Sequence, residues 1–213
     1  MHKETSHTQL QELYLELNQH LLNDSTPSVY LSKTSAQPEF QIHPFDMLYR
    51  LKSTKQSPVY HPEGNVWNHT MLVIDEAAKR KTSSKNAPVF LWAALLHDIG
   101  KPTVTKVRKG KITSYEHEKI GAVMAGEFLS QFTEDLEFIE QVTALVKYHM
   151  QMLFVINELT FARIPEMIKS SDIEEIALLG LCDRLGRKGS SQDAELKNME
   201  LFLQKCNAQG IHE

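Results

Sequence analysis

Six side chains of metal-binding type are set one by one into otherwise apolar stretches of this chain. They are His69 in WNHTMLVI, His97 and Asp98 in ALLHDIG, His117 in YEHEKIGA, His149 in ALVKYHM and Asp183 in LGLCDRLGR. Four imidazoles and two carboxylates form a mixed nitrogen and oxygen donor set. Such a set suits one or two divalent transition-metal ions (Fe, Mn, Ni, Co or Zn) better than the all-oxygen shells of Ca²⁺ or Mg²⁺. Successive helical residues project about 100° apart, so His97 and Asp98 can flank one ion, or Asp98 can bridge two. Each residue alone has a plainer reading, because a buried histidine is more often a hydrogen-bonded core residue than a ligand. The ordered series carries the argument, not the His-Asp pair. Of the ten histidines, His2, His7 and His212 fall in the tails, and His20 and His43 in surface or loop segments. That leaves His61 beside the four already named.

The elements that must position these residues read as helices. Leu10, Leu13, Leu17 and Leu21 share one face of an amphipathic helix over 6–22. Residues 23–42, rich in Ser, Thr, Pro and Gln, read as a long connection, and Pro44 opens a short helix to about 51. Residues 53–64 hold Pro58, Pro62 and Gly64 and are irregular. Helical spacing resumes over 67–80, and Pro88 starts the helix that carries ALLHDIG. Gly100 reads as the residue that ends this helix, and Pro102 as a bar to its continuation. TVTKVRKGKITSY then reads as a β-hairpin with its turn near Gly110. Further helices are expected over 117–131, 134–149, 160–169, 172–186 and 191–206. The fold class is therefore all-α, a helical bundle with one small hairpin near 103–115. Residues 1–42 are read as an N-terminal helical extension and linker, and 43–213 as the main domain.

Composition narrows the function. A chain of 213 residues supports one good core. Its formal net charge of −4 argues against broad binding to nucleic acid or anionic membrane. Neither a secretory signal pattern nor an apolar run near eighteen residues is present, so the expected setting is the cytoplasm, with no membrane partner. Two cysteines, Cys182 and Cys206, make no disulfide framework.

The series His69…His97-Asp98…Asp183 resembles the HD superfamily of metal-dependent phosphohydrolases. The segments YHPEGNVWNHTMLVIDEAA, ALLHDIGKPTVT, HEKIGAVMAGEFL and CDRLGR are similar to the HD domain that follows the catalytic head of bacterial tRNA nucleotidyltransferases, over about residues 56–190. The resemblance implies an all-helical HD fold and phosphatase or phosphodiesterase activity through metal-activated water. It places His69, His97, Asp98 and Asp183 on one ion, with His117 and His149 on a second that Asp98 bridges. The alternative is a mononuclear cleft in which His117 and His149 contact phosphate. Two departures stand out. The glycine-rich strand with a paired Asp-x-Asp that marks the nucleotidyltransferase head is not found, so nucleotide addition is not expected. Glu116 stands where many relatives have glycine.

Lys101 follows the metal pair and can bind a phosphoryl oxygen, so Asp98 and Lys101 are the expected catalytic residues. The plainer reading of Lys101 is a cation favoured by a helix C-terminus. Arg184 and Arg187 flank Asp183 and either reach phosphate with Lys101 or pair at the surface. Lys106, Arg108, Lys109 and Lys111 make the hairpin basic, either as a solvated turn or as a guide for an anionic substrate. His61 and Glu63 precede the first ligand helix and can order the entrance or orient His69. The expected substrate is a small phosphate ester, a nucleotide or nucleotide-like compound, with RNA possible but not favoured. Two rivals are a di-iron oxygenase of the same ligand order and a non-catalytic RNA-binding or regulatory module.

Overall fold

The computed structural model describes residues 7–210, and His2 and His212 lie outside them. The architecture is built around one helix. α5 (Ala87–Leu96) reads APVFLWAALL, and every residue from Val89 to Leu96 is buried. A helix that is apolar all round has to be enclosed. α1 (His7–Asn23), α4 (Val66–Arg80), α8 (Leu136–Tyr148) and α11 (Ile173–Leu185) pack around it. Asn86 caps its start by accepting from the Val89 N–H, and Pro88 sits in the first turn, where a missing N–H costs nothing. α7 (His117–Leu129) lies along α8, and α12 (Gln192–Gly210) covers α11 together with α9 (Gln151–Ile156).

The all-α class holds. Among the described residues the β structure is one antiparallel pair, β1 (Lys106–Arg108) and β2 (Lys111–Thr113), with Val107 opposite Ile112. Its turn places Lys109 at φ 48° and Gly110 at φ 75°, positive at both central residues, as the tight hairpin turns require.

The leucine face of α1 is buried as its spacing predicts. Tyr14 stacks between Trp92 of α5 (4.9 Å between centroids) and Phe132 (4.7 Å), and Trp92 Nε1 donates to Asn18 Oδ1 at 2.9 Å. This helix therefore shares the central core.

Several expectations on the elements are corrected. Residues 23–42 are not a bare connection: they form α2 (Pro27–Thr34) and a 3₁₀ turn (Pro38–Gln41), which bury Leu31 and Phe40. Ser28 ties α2 to α4 through its backbone N–H and its hydroxyl, which donate to Asp75 at 3.1 and 2.6 Å. Two turns of helix with so few apolar positions leave no readable period. Pro44 stands two residues ahead of α3 (Asp46–Tyr49) rather than in its first turn.

Gly100 is not a left-handed helix end. Its φ is −77°, and the backbone goes straight on into α6 (Lys101–Val104), with Pro102 in the opening turn of that short helix. The glycine is required by proximity instead. A Cβ at this position would lie 2.3 Å from the carbonyl oxygen of His117 and 2.6 Å from the backbone nitrogen of Gly121. The turn after His97-Asp98 thus rests directly on α7, which brings the two ligand-bearing segments together.

Candidate metal centre

Five helix ends and turns supply the six residues. His69 sits in the first turn of α4, whose N-cap Asn65 accepts from the Asn68 N–H. His97 caps the end of α5, His117 opens α7, His149 caps the end of α8, and Asp183 lies in the last turn of α11. All six are buried. Asp98, His117, His149 and Asp183 line one cleft of about 1280 Å³, while His69 and His97 are buried and not part of its lining. The donor atoms of His69, His97 and Asp98 lie within 4.8 Å of one another, and so do those of Asp98, His117 and His149. Asp98 belongs to both trios.

The histidines are oriented in one way. Nδ1 of His97 donates to the Ala94 carbonyl (2.8 Å), Nδ1 of His117 to that of Ser114 (2.7 Å) and Nδ1 of His149 to that of Val146 (2.7 Å). A carbonyl only accepts, so Nδ1 carries the proton and Nε2 is left as a lone-pair donor directed inward. Nδ1 of His69 donates to Glu63 Oε1 at 2.9 Å, and the same oxygen accepts from His61 Nδ1 at 2.9 Å. Tying the remote nitrogen in this manner fixes the tautomer that a metal needs.

The inward atoms are poorly satisfied without a cation. Nε2 of His117 and of His149 face each other at 3.2 Å, two acceptors that need a proton or a metal between them. His97 Nε2 and Asp98 Oδ2 are buried without a hydrogen-bond partner. Lys101 Nζ lies 2.7 Å from Asp98 Oδ2, near enough to pair by charge but off the angle of a hydrogen bond. Asp98 Oδ1 is 3.4 Å from His117 Nε2 and 3.8 Å from His149 Nε2, and His69 Nε2 is 2.9 Å from Asp183 Oδ1. Donors that share one cation at bonds of about 2.0–2.2 Å are themselves roughly 3 Å apart. The residues present fit one or two divalent metals.

The electrostatics agree with this arrangement. Burial pushes His149 down to about 3, helped by the neighbouring His117 and His97. Burial likewise takes His117 down to about 4, with Asp98 opposing and Lys101 adding to the fall. Both present neutral imidazoles near pH 7. Burial opposes charge on Asp98 and Asp183, but Lys101 and His97 hold Asp98 well below the usual carboxylate range, and Arg187 and His69 do the same for Asp183. His69 is the exception: burial disfavours its charge, yet hydrogen bonds to Asp183 and Glu63 outweigh it and raise its pKa. Its Nε2 proton occupies the place where a cation would satisfy both partners.

The other expected site residues are placed as follows. Lys101 is buried at the cleft wall and donates to Gln56 Oε1 at 2.7 Å. Arg187 donates to Asp183 Oδ2 at 3.0 Å, while Arg184 is held by Glu195; both line the cleft. Glu116 is in the left-handed region at φ 60°, where glycine is unstrained. That is the physical reason a glycine suits this position; here Glu116 is exposed and pairs with Lys119 at 2.7 Å. Gln56 and the cleft-lining Phe154 and Phe161 were not singled out from sequence. Gln56 lies in an irregular polar stretch that offers no periodic signal.

An all-helical bundle with a His/Asp cluster shared among helix ends defines a class of metal-binding helical domain. The HD domain family model matches residues 66–186, and the chain belongs to that family, whose members are generally metal-dependent phosphohydrolases. Among curated proteins it is similar to the multifunctional CCA protein of Actinobacillus pleuropneumoniae serotype 5b, 27% identical over 146 residues, which are 68% of this chain and 34% of the relative. It is similar to those of Mannheimia succiniciproducens (26% over 201 residues, 89% of this chain and 47% of the relative) and Pasteurella multocida (27% over 203 residues, 89% and 46%). The chain thus spans about a third to a half of the length of these relatives. Among the described residues no helix is long and apolar enough to cross a membrane.

Proposed function

We propose that this chain is a metal-dependent phosphohydrolase that cleaves a nucleotide or nucleotide-like phosphate ester, as a phosphatase or a phosphodiesterase. One observation carries the reading: four imidazoles have Nδ1 tied to acceptors, and their Nε2 atoms are turned toward the buried carboxylates of Asp98 and Asp183. In this reading His69, His97, Asp98 and Asp183 would hold one divalent transition metal, and His117 and His149 with Asp98 would hold a second. The metal would supply Lewis acidity, which lowers the pKa of water and offsets phosphoryl charge.

The chain's own residues do the rest. Asp98 positions the cationic centre. Lys101, held at the rim by Gln56, is free to donate to a phosphoryl oxygen once Asp98 is engaged elsewhere, and there it stabilises charge that builds up in the transition state. Arg187 steadies Asp183 and turns a guanidinium toward the cleft, while Arg184 on the same wall is engaged by Glu195 and would have to exchange that partner to meet phosphate. Similarity to the multifunctional CCA proteins supports a nucleotide-type substrate. The free, buried Cys182 and Cys206 support a reducing, cytoplasmic setting.

The test is a panel of phosphomonoesters and diesters, nucleotides included, given to metal-loaded and metal-stripped protein. Hydrolysis that disappears on chelation and returns with metal supports the reading. Oxygen-dependent turnover by an iron-loaded form replaces it with an oxygenase.

A further inference from the structure

The hairpin concentrates charge that the catalytic reading does not use. Lys106, Arg108, Lys109 and Lys111 fall within six residues, in a chain of net charge −4. All four are exposed, and none forms an ion pair with another described residue. Some other surface cations are neutralised by pairs, Lys119 with Glu116 and Lys85 with Asp172 and Glu174, but no other six-residue stretch of the chain holds four cations. β2 leads directly into the cleft, where Ile112, Thr113, Ser114 and Tyr115 form part of the wall. Two aromatic side chains stand open on this rim, Tyr60 at 68% exposure and Tyr115 at 74%.

Size points the same way. The cleft volume of about 1280 Å³ exceeds the roughly 300–1,000 Å³ typical of small-molecule pockets. The extended strand from Lys111 to Thr113 covers about 7 Å at roughly 3.3 Å per residue before the chain turns at Tyr115. A mononucleotide whose phosphate sits at Asp98 and Lys101 has no second phosphate to set against those cations, whereas a strand has further phosphates for them. Unpaired cations that track a backbone, beside open aromatic faces on which bases stack, are the two parts of a single-strand binding surface.

We propose that the β1–β2 hairpin and the tyrosine rim bind a single-stranded oligonucleotide whose terminal phosphate enters the cleft. This rests on the phosphohydrolase reading and extends it from free nucleotides to the end of a polynucleotide strand.

The experiment measures the binding of a fluorescein-labelled, terminally phosphorylated octanucleotide, as uridine RNA and as thymidine DNA, across a salt series. The protein is the full chain, wild type or carrying Lys106→Ser, Arg108→Ser, Lys109→Asn and Lys111→Ser. Asparagine tolerates the positive φ at position 109, so the turn is kept. Turnover of a mononucleotide is followed in parallel. The proposal expects at least a tenfold loss of affinity for one or both strands. It also expects the slope of log affinity against log salt to shrink by about 2–3, from roughly 0.7 per lost phosphate contact. Mononucleotide turnover should stay unchanged, and Tyr115→Ala should weaken oligonucleotide binding by itself about tenfold. Unchanged oligonucleotide affinity overturns the proposal, as does an equal rise in the mononucleotide KM, which would mean general anion steering. Competition by polyglutamate as strong as by polyuridine overturns it too, in favour of an acidic protein partner. If wild type hydrolyses no phosphate ester, the catalytic reading fails, while the binding series still decides the hairpin.

Discussion

Replacing Gly100 by alanine should damage the metal centre without touching a ligand. The new Cβ would lie 2.3 Å from the His117 carbonyl oxygen, 2.6 Å from the Gly121 nitrogen and 2.9 Å from the Gly121 Cα. These are backbone atoms, so no rotamer change relieves the clash. An ordinary contact begins near 3.4 Å, so α7 has to retreat from the His-Asp turn by about 1 Å. Metal sites tolerate displacements of about 0.5 Å, and the shift carries His117 away from Asp98. Overpacking of this kind costs about 1–3 kcal/mol, which for a chain of this length lowers Tm by roughly 2–12 °C at about 2–4 °C per kcal/mol. Gly110→Ala is the control. It meets open space and carries only the left-handed backbone cost of about 1–2 kcal/mol, with no effect on the cleft. Thermal melts and metal content by elemental analysis are the assays. Gly100→Ala protein that melts and retains metal like wild type would refute the close-approach argument.

Lys101→Ala should lower turnover about 10²- to 10³-fold, the scale for losing one preorganised charge donor, while metal content changes little; equal large losses of both would make Lys101 structural. Glu63→Gln should weaken metal binding about 10- to 100-fold, the usual scale for a residue that orients a ligand, as read by competition with a chelator of known affinity. The pH dependence of the metal-free protein follows from His61, His117 and His149, which folding lowers to about 4, about 4 and about 3. Unfolded histidines titrate near 6.5, so below that pH the unfolded chain binds protons that the folded chain refuses. Their contribution is complete above about 6.5 and fades as pH falls toward 4, so Tm should drop over that range; His69, shifted upward, acts in the opposite sense above 6.5. A Tm that holds steady or rises on acidification would contradict this assignment.

Much of the fold was legible because the long elements carry their own period. The leucine face of α1 and the uniformly apolar α5 announce themselves, and Lys109-Gly110 marks the hairpin turn. What stayed hidden was short or depended on a partner. α2 and α9 are too brief for a pattern. The role of Gly100 could not be read locally, because the atoms that exclude a side chain belong to residues 117 and 121, brought there by the packing of α7. The candidate ligands were visible as polar intrusions into apolar runs. Which nitrogen each histidine presents was not visible, because that depends on carbonyls three residues upstream and on how the helices end. Gln56 gave no sign at all, since only the placement of Lys101 gives it a function.

The central claim is that the His/Asp cluster binds divalent metal and that hydrolysis depends on it. The most direct measurement is a titration of metal-stripped protein with Mn²⁺ or Co²⁺, with bound metal per chain and hydrolysis of a nucleotide phosphate ester recorded on the same samples, for wild type and for Asp98→Ala. The account predicts that hydrolysis rises with bound metal to a plateau at two ions per chain. It also predicts that Asp98→Ala, which removes the carboxylate common to both trios, binds little metal and hydrolyses nothing while its helical circular dichroism persists. Hydrolysis that is indifferent to metal, or full metal occupancy in the Asp98→Ala protein, would contradict it.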